Sequence, residues 1–356
     1  MKRRVVVTGR GCMAPSAAGT EALARALFDG GGEPGPRARR TEELGEESKK
    51  KLPTLVRRRM SRLAAMASLS IDEALRGAAV DVERAREEIG LVFGTGYGEL
   101  DTTSRIFLAG LDENMSPTLF HNSVHNAPLG YAGIITGIRG PSVTVSDGHV
   151  SGESAVIRGV QLVQDGTCDL LAAGGGDERY EFPLFSDPGQ GGDPGEGCGF
   201  IVAEDAGHAS ERGAAAICAV GGRSMRAFPG DPADVDSRVD CVCSSIAEAL
   251  GGGARVPAVF AHLPRGSVVS DVILKALEKI FGGRAPLWSS SPLCGAWPSS
   301  GAARAVAAVL SIERNMLPAG SIVAGGPAGG IGDVLVLGVD PEGDAASIVF
   351  SRMEGP

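Results

Sequence analysis

The stretch "GPSVTVSDGHVSGESAV", from Gly140 to Val156, decides how the rest of the chain is read. Val143–Val145 is a short β-branched run that predicts a strand. Ser151–Gln164 follows with Val156, Val160 and Val163 at i, i+4 and i+7, the spacing of one buried helical face. Between them lies a tight turn with His149. A strand that turns sharply into a helix is where many acyl-transfer enzymes carry their nucleophile. This turn offers an imidazole where a thiol or hydroxyl is expected, and none of the surrounding residues forms G-x-S-x-G.

Working outward, strands and helices alternate. Strands are predicted at Arg4–Thr8, Leu91–Phe93, Asp169–Ala173, Gly199–Ala203, Ala216–Val220, Ala258–His262, Trp288–Ser290, Asp333–Val339 and Ser347–Phe350. Helices are predicted at Thr20–Phe28, Arg59–Arg76, Val269–Phe281 and Ala302–Glu313. Gly9–Gly19 reads as a loop and Gly30–Lys51 as a solvated surface segment. Several strands are continuous apolar runs, as expected when both faces are covered by helices. The pattern is that of a layered α/β fold.

Composition narrows the function classes. The 356 residues carry a net charge of −9, which argues against nucleic acid, whose binding rests on Lys and Arg neutralising phosphates. No stretch approaches the ~18 apolar residues of a membrane span. After Met1-Lys2-Arg3-Arg4 comes only a short apolar run, so no signal peptide is expected and the chain reads as cytoplasmic. The seven cysteines have no paired spacing, and Cys241-x-Cys243 lacks the partners of a zinc site.

Other motifs fall short of a site. Gly9-Arg10-Gly11-Cys12-Met13-Ala14 matches G-x-G-x-x-A, but no helix opens directly after it and no acidic residue follows a second strand, so a dinucleotide is not expected. The glycines of 189–199 lack a following Gly-Lys-Ser/Thr. His121 and His125, in "SPTLFHNSVHNAPLGY", have the i, i+4 spacing of a metal clamp, but two prolines interrupt the stretch and no acidic pair lies near. Neither a metal nor a cofactor is expected.

Taken together, the fragments resemble the ketosynthase family of the thiolase fold, the condensing enzymes of fatty-acid and polyketide synthesis. "RVVVTGRGCMAP" looks like that family's opening strand and loop, and "RRMSRLAAMASLSIDEAL" its following helix. "GPSVTVS" and "CDLLAAGGGDE" resemble its nucleophile strand and next strand. "GEGCGFIVAEDAGHASERGA" is similar to its GEGAG stretch, and "AASIVF" to its closing strand. The resemblance implies an α/β, thiolase-like, five-layered αβαβα fold built from two similar halves, 1–210 and 211–356.

It also implies what is missing. The family's nucleophilic cysteine falls on His149. Its first catalytic histidine falls on His262, with the surrounding threonines gone. Its lysine and second histidine fall on Ser291 and Ala296. A condensation needs a thiolate to hold the acyl chain and donors to stabilise the enolate. His149 cannot make a stable thioester and Ala296 cannot donate a hydrogen bond, so losses at the nucleophile, the lysine and the second histidine imply an emptied site.

The family contains such a member, the chain length factor, which pairs with an active ketosynthase and reaches the acyl carrier protein through that complex. By resemblance, Ser142, Val143, Thr144, Val145 and Ser146 run antiparallel to the partner's strand across the dimer axis. Asp112, Met115, Thr118, Phe120, His121 and His125 are the implied lining of the acyl tunnel. "SPTLFHNSVHNAPLGY" further resembles the branch found with polyene systems. Three rival readings stand beside this one: a malonyl-carrier-protein decarboxylase making starter units, an acyltransferase or cyclase using Ser151, Ser154 or Cys198, and a homodimeric scaffold with no active partner.

Overall fold

The computed structural model describes residues 3–15, 17–29, 44–111, 117–179, 195–251, 256–291, 295, 297–322 and 330–353, and the side chains of all of these except 109, 111 and 118. The strands are β1 (Val5–Ala14), β2 (Ala17–Ala18), β3 (Ile89–Gly94), β4 (Ser142–Val145), β5 (Leu170–Asp177), β6 (Gly197–Asp205), β7 (Cys218–Arg226), β8 (Ala258–Ala261), β9 (Leu287–Ser289), β10 (Asp333–Val339) and β11 (Ala345–Ser351).

Their order is β4-β3-β5-β6-β1-β7-β11-β10-β8-β9, with β2 beside β1. Read from either outer edge, the sequence of pairings is the same. An edge strand lies parallel to its neighbour, a second parallel pair follows, and two antiparallel pairs complete the set. The two sets meet where β1 pairs with β7 over Val6↔Ala219 and Val7↔Cys218.

Five layers result. The helices Ser151–Gln164 and Gly301–Arg314 each touch strands of both sets and fill the space between them. The helix Arg62–Gly77 covers the outer face of the first set with Ala127–Thr136, and Val235–Leu250 covers the second with Val268–Phe281. The three apolar clusters of the molecule correspond to these three helical layers. No helix among the described residues is long and apolar enough to cross a membrane.

Several boundaries differ from expectation. β1 runs on to Ala14, through residues read above as a loop. A Cβ at Gly9 would lie 2.2 Å from the Ala74 carbonyl, and one at Gly11 1.9 Å from that of Ser70. These glycines let the covering helix lie directly on the strand, and the G-x-G-x-x-A pattern is strand rather than phosphate turn. β5 likewise absorbs its three glycines. Leu44–Lys51, within the segment read as solvated surface, is a largely exposed helix, and the 16-residue helix Val235–Leu250 was not anticipated. Its start is marked by Asp234, whose Oδ1 accepts the Ser237 N–H at 3.1 Å.

Candidate functional site

Four chain segments meet at one end of the core: the turn after β4, the exit of β8, the exit of β9 and the turn between β10 and β11. They bring His149, His262, Ser291 and Asp340 into one neighbourhood. A cavity of ≈ 20 Å³, room for about one water, is lined there by His149, His262, Trp297, Arg304, Val339 and Pro341, among others.

The His149 turn is held from within. Gly148 has φ +52°, a left-handed conformation that glycine adopts without strain. The Ser151 hydroxyl donates to the Gly148 carbonyl at 2.7 Å and accepts the Asp147 N–H at 2.9 Å. The Ser154 hydroxyl donates to Asp147 Oδ2. The His149 backbone N–H donates to Asp340 Oδ2 at 2.7 Å, and its ring stands edge-on to Tyr97, centroids 6.3 Å apart.

His262 stands just beyond β8, with Nδ1 3.0 Å from Ser291 Oγ. That hydroxyl also accepts the Leu263 N–H at 3.1 Å, and Ser289 Oγ lies 3.2 Å away. Ser291 thus orients the imidazole by a hydrogen bond and brings no cationic head. Ala296 lies outside the described residues.

Behind the histidines lies a feature the sequence reading missed. Arg304 and Glu153 are 2% and 0% exposed, and Arg304 Nη2 lies 2.5 Å from Glu153 Oε1. Arg304 Nη1 also donates to Ser300 Oγ at 2.9 Å. The signal was present: Arg304 is the one charged residue inside the otherwise small and apolar "GAARAVAAVLS". Asp177 was also missed. Its carboxylate accepts from Thr95 Oγ at 2.7 Å, Ser299 Oγ at 2.6 Å and three backbone N–H groups, fastening the end of β3 to the start of the Gly301 helix. Burial pushes its carboxyl above the usual range, against those hydrogen bonds.

The alternative nucleophiles are occupied or inert. Ser151 and Ser154 serve the turn. Cys198 is buried on β6, and burial holds its thiol well above the ordinary value, so no thiolate is available at neutral pH.

The expected dimer strand, β4, is an edge with a neighbour on one side only among the described residues, and Ser142 and Ser146 are exposed. Of the expected tunnel residues, Asp112 and Met115 lie outside the described residues, as does the Thr118 side chain. Phe120, His121 and His125 are exposed in this chain. His121 ends the short helix Pro117–His121 and His125 follows in a turn, so the two do not share a helical face. The connection between β3 and β4 also exposes Phe107, Leu108, Val124 and Ile134.

Comparison with known proteins places this geometry. A family model described as the N-terminal domain of beta-ketoacyl synthase matches residues 35–175. Nodulation protein E of Rhizobium sp. (strain N33) is 24% identical, over 89% of this chain and 88% of its own length. The ishigamide ketosynthase/chain length factor superposes with a TM-score of 0.83 at 19% identity, covering 99% of this chain and 100% of that one. A type II polyketide synthase acyl carrier protein in complex with its ketosynthase bound to the hexaketide gives 0.75 at 20% identity, with the same coverage. The fold is therefore thiolase-like, as the sequence resemblance implied.

Proposed function

We propose that this chain is a ketosynthase-like subunit without condensing activity of its own, a chain length factor. It pairs with an active ketosynthase in type II polyketide synthesis and helps shape the acyl tunnel, in a polyene system rather than an aromatic one. The halves 1–210 and 211–356 each contribute one strand set, and the partner contributes the nucleophile. The carrier protein is served through the pair.

The observation that carries this reading is the residue at the sharp turn into the core helix. His149 occupies the position where a nucleophile would stand, and an imidazole there cannot hold a stable thioester. Ser291, beside His262, adds no cation. Groups that act as a unit in catalysis do not survive piecemeal loss. Support for pairing comes from the edge strand β4 and from the apolar side chains exposed between β3 and β4, an arrangement that soluble proteins otherwise protect.

The test is co-expression with a ketosynthase encoded beside it, followed by size analysis and a condensation assay. A stable 1:1 pair that condenses, with this chain inactive alone, supports the reading. A chain that stays monomeric in the presence of that partner counts against it.

A further inference from the structure

The Asp340 carboxylate accepts the backbone N–H of His149, at the sharp turn into the core helix. The N–H at the sharp turn into a helix points where a tetrahedral oxyanion develops, and the helix dipole favours negative charge there. In this chain that N–H, on His149, already donates to Asp340 Oδ2 at 2.7 Å. The carboxylate is fixed from its other side, since Oδ1 accepts the Glu342 N–H at 2.8 Å. Its backbone is fixed too, by Asp340 N–H to the Asp344 carbonyl at 2.8 Å and Gly343 N–H to the Asp340 carbonyl at 2.9 Å.

Two further observations agree. A Cβ at residue 148 would lie 2.4 Å from Asp340 Oδ2, so the glycine there leaves room for the carboxylate. Pro341, on the cavity wall, has no N–H and cannot provide a second backbone donor. What remains is the ≈ 20 Å³ cavity, room for about one water.

We propose that the Asp340 carboxylate is an internal anion that fills the oxyanion position of the His149 turn and excludes acyl-thioester carbonyls from this cavity, whatever residue stands at 149. This deepens the functional reading above and rests on it. Asp340 acts here as a positioning residue that closes the site, and the turn keeps its shape because the chain supplies its own occupant.

The test uses the full chain carrying His149→Cys, alone and combined with Asp340→Asn or Asp340→Ser. Asn keeps the shape and removes the charge, whereas Ser also vacates the position. The introduced thiol reports the local field. Alkylation of position 149 by neutral iodoacetamide is followed across pH by peptide mass spectrometry, and its rate at one pH is compared with that of anionic iodoacetate.

Removing the carboxylate should lower the midpoint of the pH profile by about one unit and raise the iodoacetate-to-iodoacetamide ratio about tenfold, because the helix N-terminus is no longer neutralised. Arg238, Asp147, His262, Glu342, Asp344, Tyr97 and the Arg304–Glu153 pair are the other charged or titratable groups nearby, and all are retained. An unchanged midpoint and ratio in both folded double variants would overturn the assignment.

If the double variants do not fold, amide exchange at His149 in the unmodified chain decides. Protection comparable to the core-helix amides supports the bond to Asp340, and exchange at an open-turn rate contradicts it. Condensation by the lone unmodified chain would instead overturn the functional reading and leave the thiol result standing.

Discussion

Arg304 Nη2 lies 2.5 Å from Glu153 Oε1, joining the two helices that fill the space between the strand sets. A Cβ at Gly301 would meet the Glu153 carboxyl group at 1.9 Å, and one at Gly338 would meet Oε1 at 2.5 Å, so a glycine at the start of the Arg304 helix and another on β10 make room for this pair. Arg304→Ala leaves a fully buried carboxylate without its cation and should destabilise the chain by about 3–5 kcal/mol. The double change Arg304→Met with Glu153→Leu should recover most of that loss. Urea unfolding of the two variants beside the unmodified chain checks it, and a double variant as unstable as the single would show that the pair itself is required.

Stability should fall as pH rises through neutrality. Burial first, then the charge of Glu178, pushes Glu99 up to about 8. Burial, then the charge of Asp101, pushes Glu178 up to about 7. In the unfolded chain both titrate near their ordinary 4.5. Between these limits the folded state holds protons that the unfolded state has released, so the contribution of these two carboxyls to stability is full below about pH 4.5 and is lost as pH rises to about 8. Melting temperatures at pH 5.5 and 8.5 measure the decline, and Glu99→Gln should flatten it.

The lone chain should not condense acyl- and malonyl-carrier proteins, and His149→Cys alone should not restore the activity. The new thiol would face the Asp340 carboxylate, with Ser291 beside His262. Condensation well above a buffer blank by either protein would defeat the prediction.

How much of this was legible in sequence depended on the range of the interaction. The Ser151–Gln164 helix was read to its ends because its Val156, Val160 and Val163 face is local information. β1 was cut short because Gly9 and Gly11 look like loop residues until the helix packed on them is seen. The Asp340–His149 bond spans 191 positions, and the Arg304–Glu153 pair 151, so no local pattern announces either. His262 and Ser291 were named separately; their hydrogen bond follows only from the adjacency of β8 and β9.

Phe120→Ala should lengthen the products of the reconstituted pair, and Thr118→Trp should shorten them, if this segment lines the partner's tunnel. Phe120 is exposed in the single chain, so its loss should leave the chain's own melting temperature nearly unchanged. Product profiles by mass spectrometry are the readout, and unchanged profiles with intact pairs would put the length-setting wall elsewhere.

Ser142→Lys should block pairing through β4 while leaving the fold intact, because Ser142 is exposed and lysine on an edge strand opposes strand addition. Size analysis after co-expression should show two separate species, and an unaffected pair would remove β4 from the interface.

The most direct measurement is condensation by the co-purified pair under two single changes, made separately: alanine at the partner's nucleophilic cysteine, and His149→Ala in this chain. The account predicts that the first abolishes product and the second leaves the rate within about twofold of the unmodified pair, since no part of the chemistry is assigned to His149. Loss of product with His149→Ala in an intact pair, or retention of product without the partner's cysteine, would contradict it.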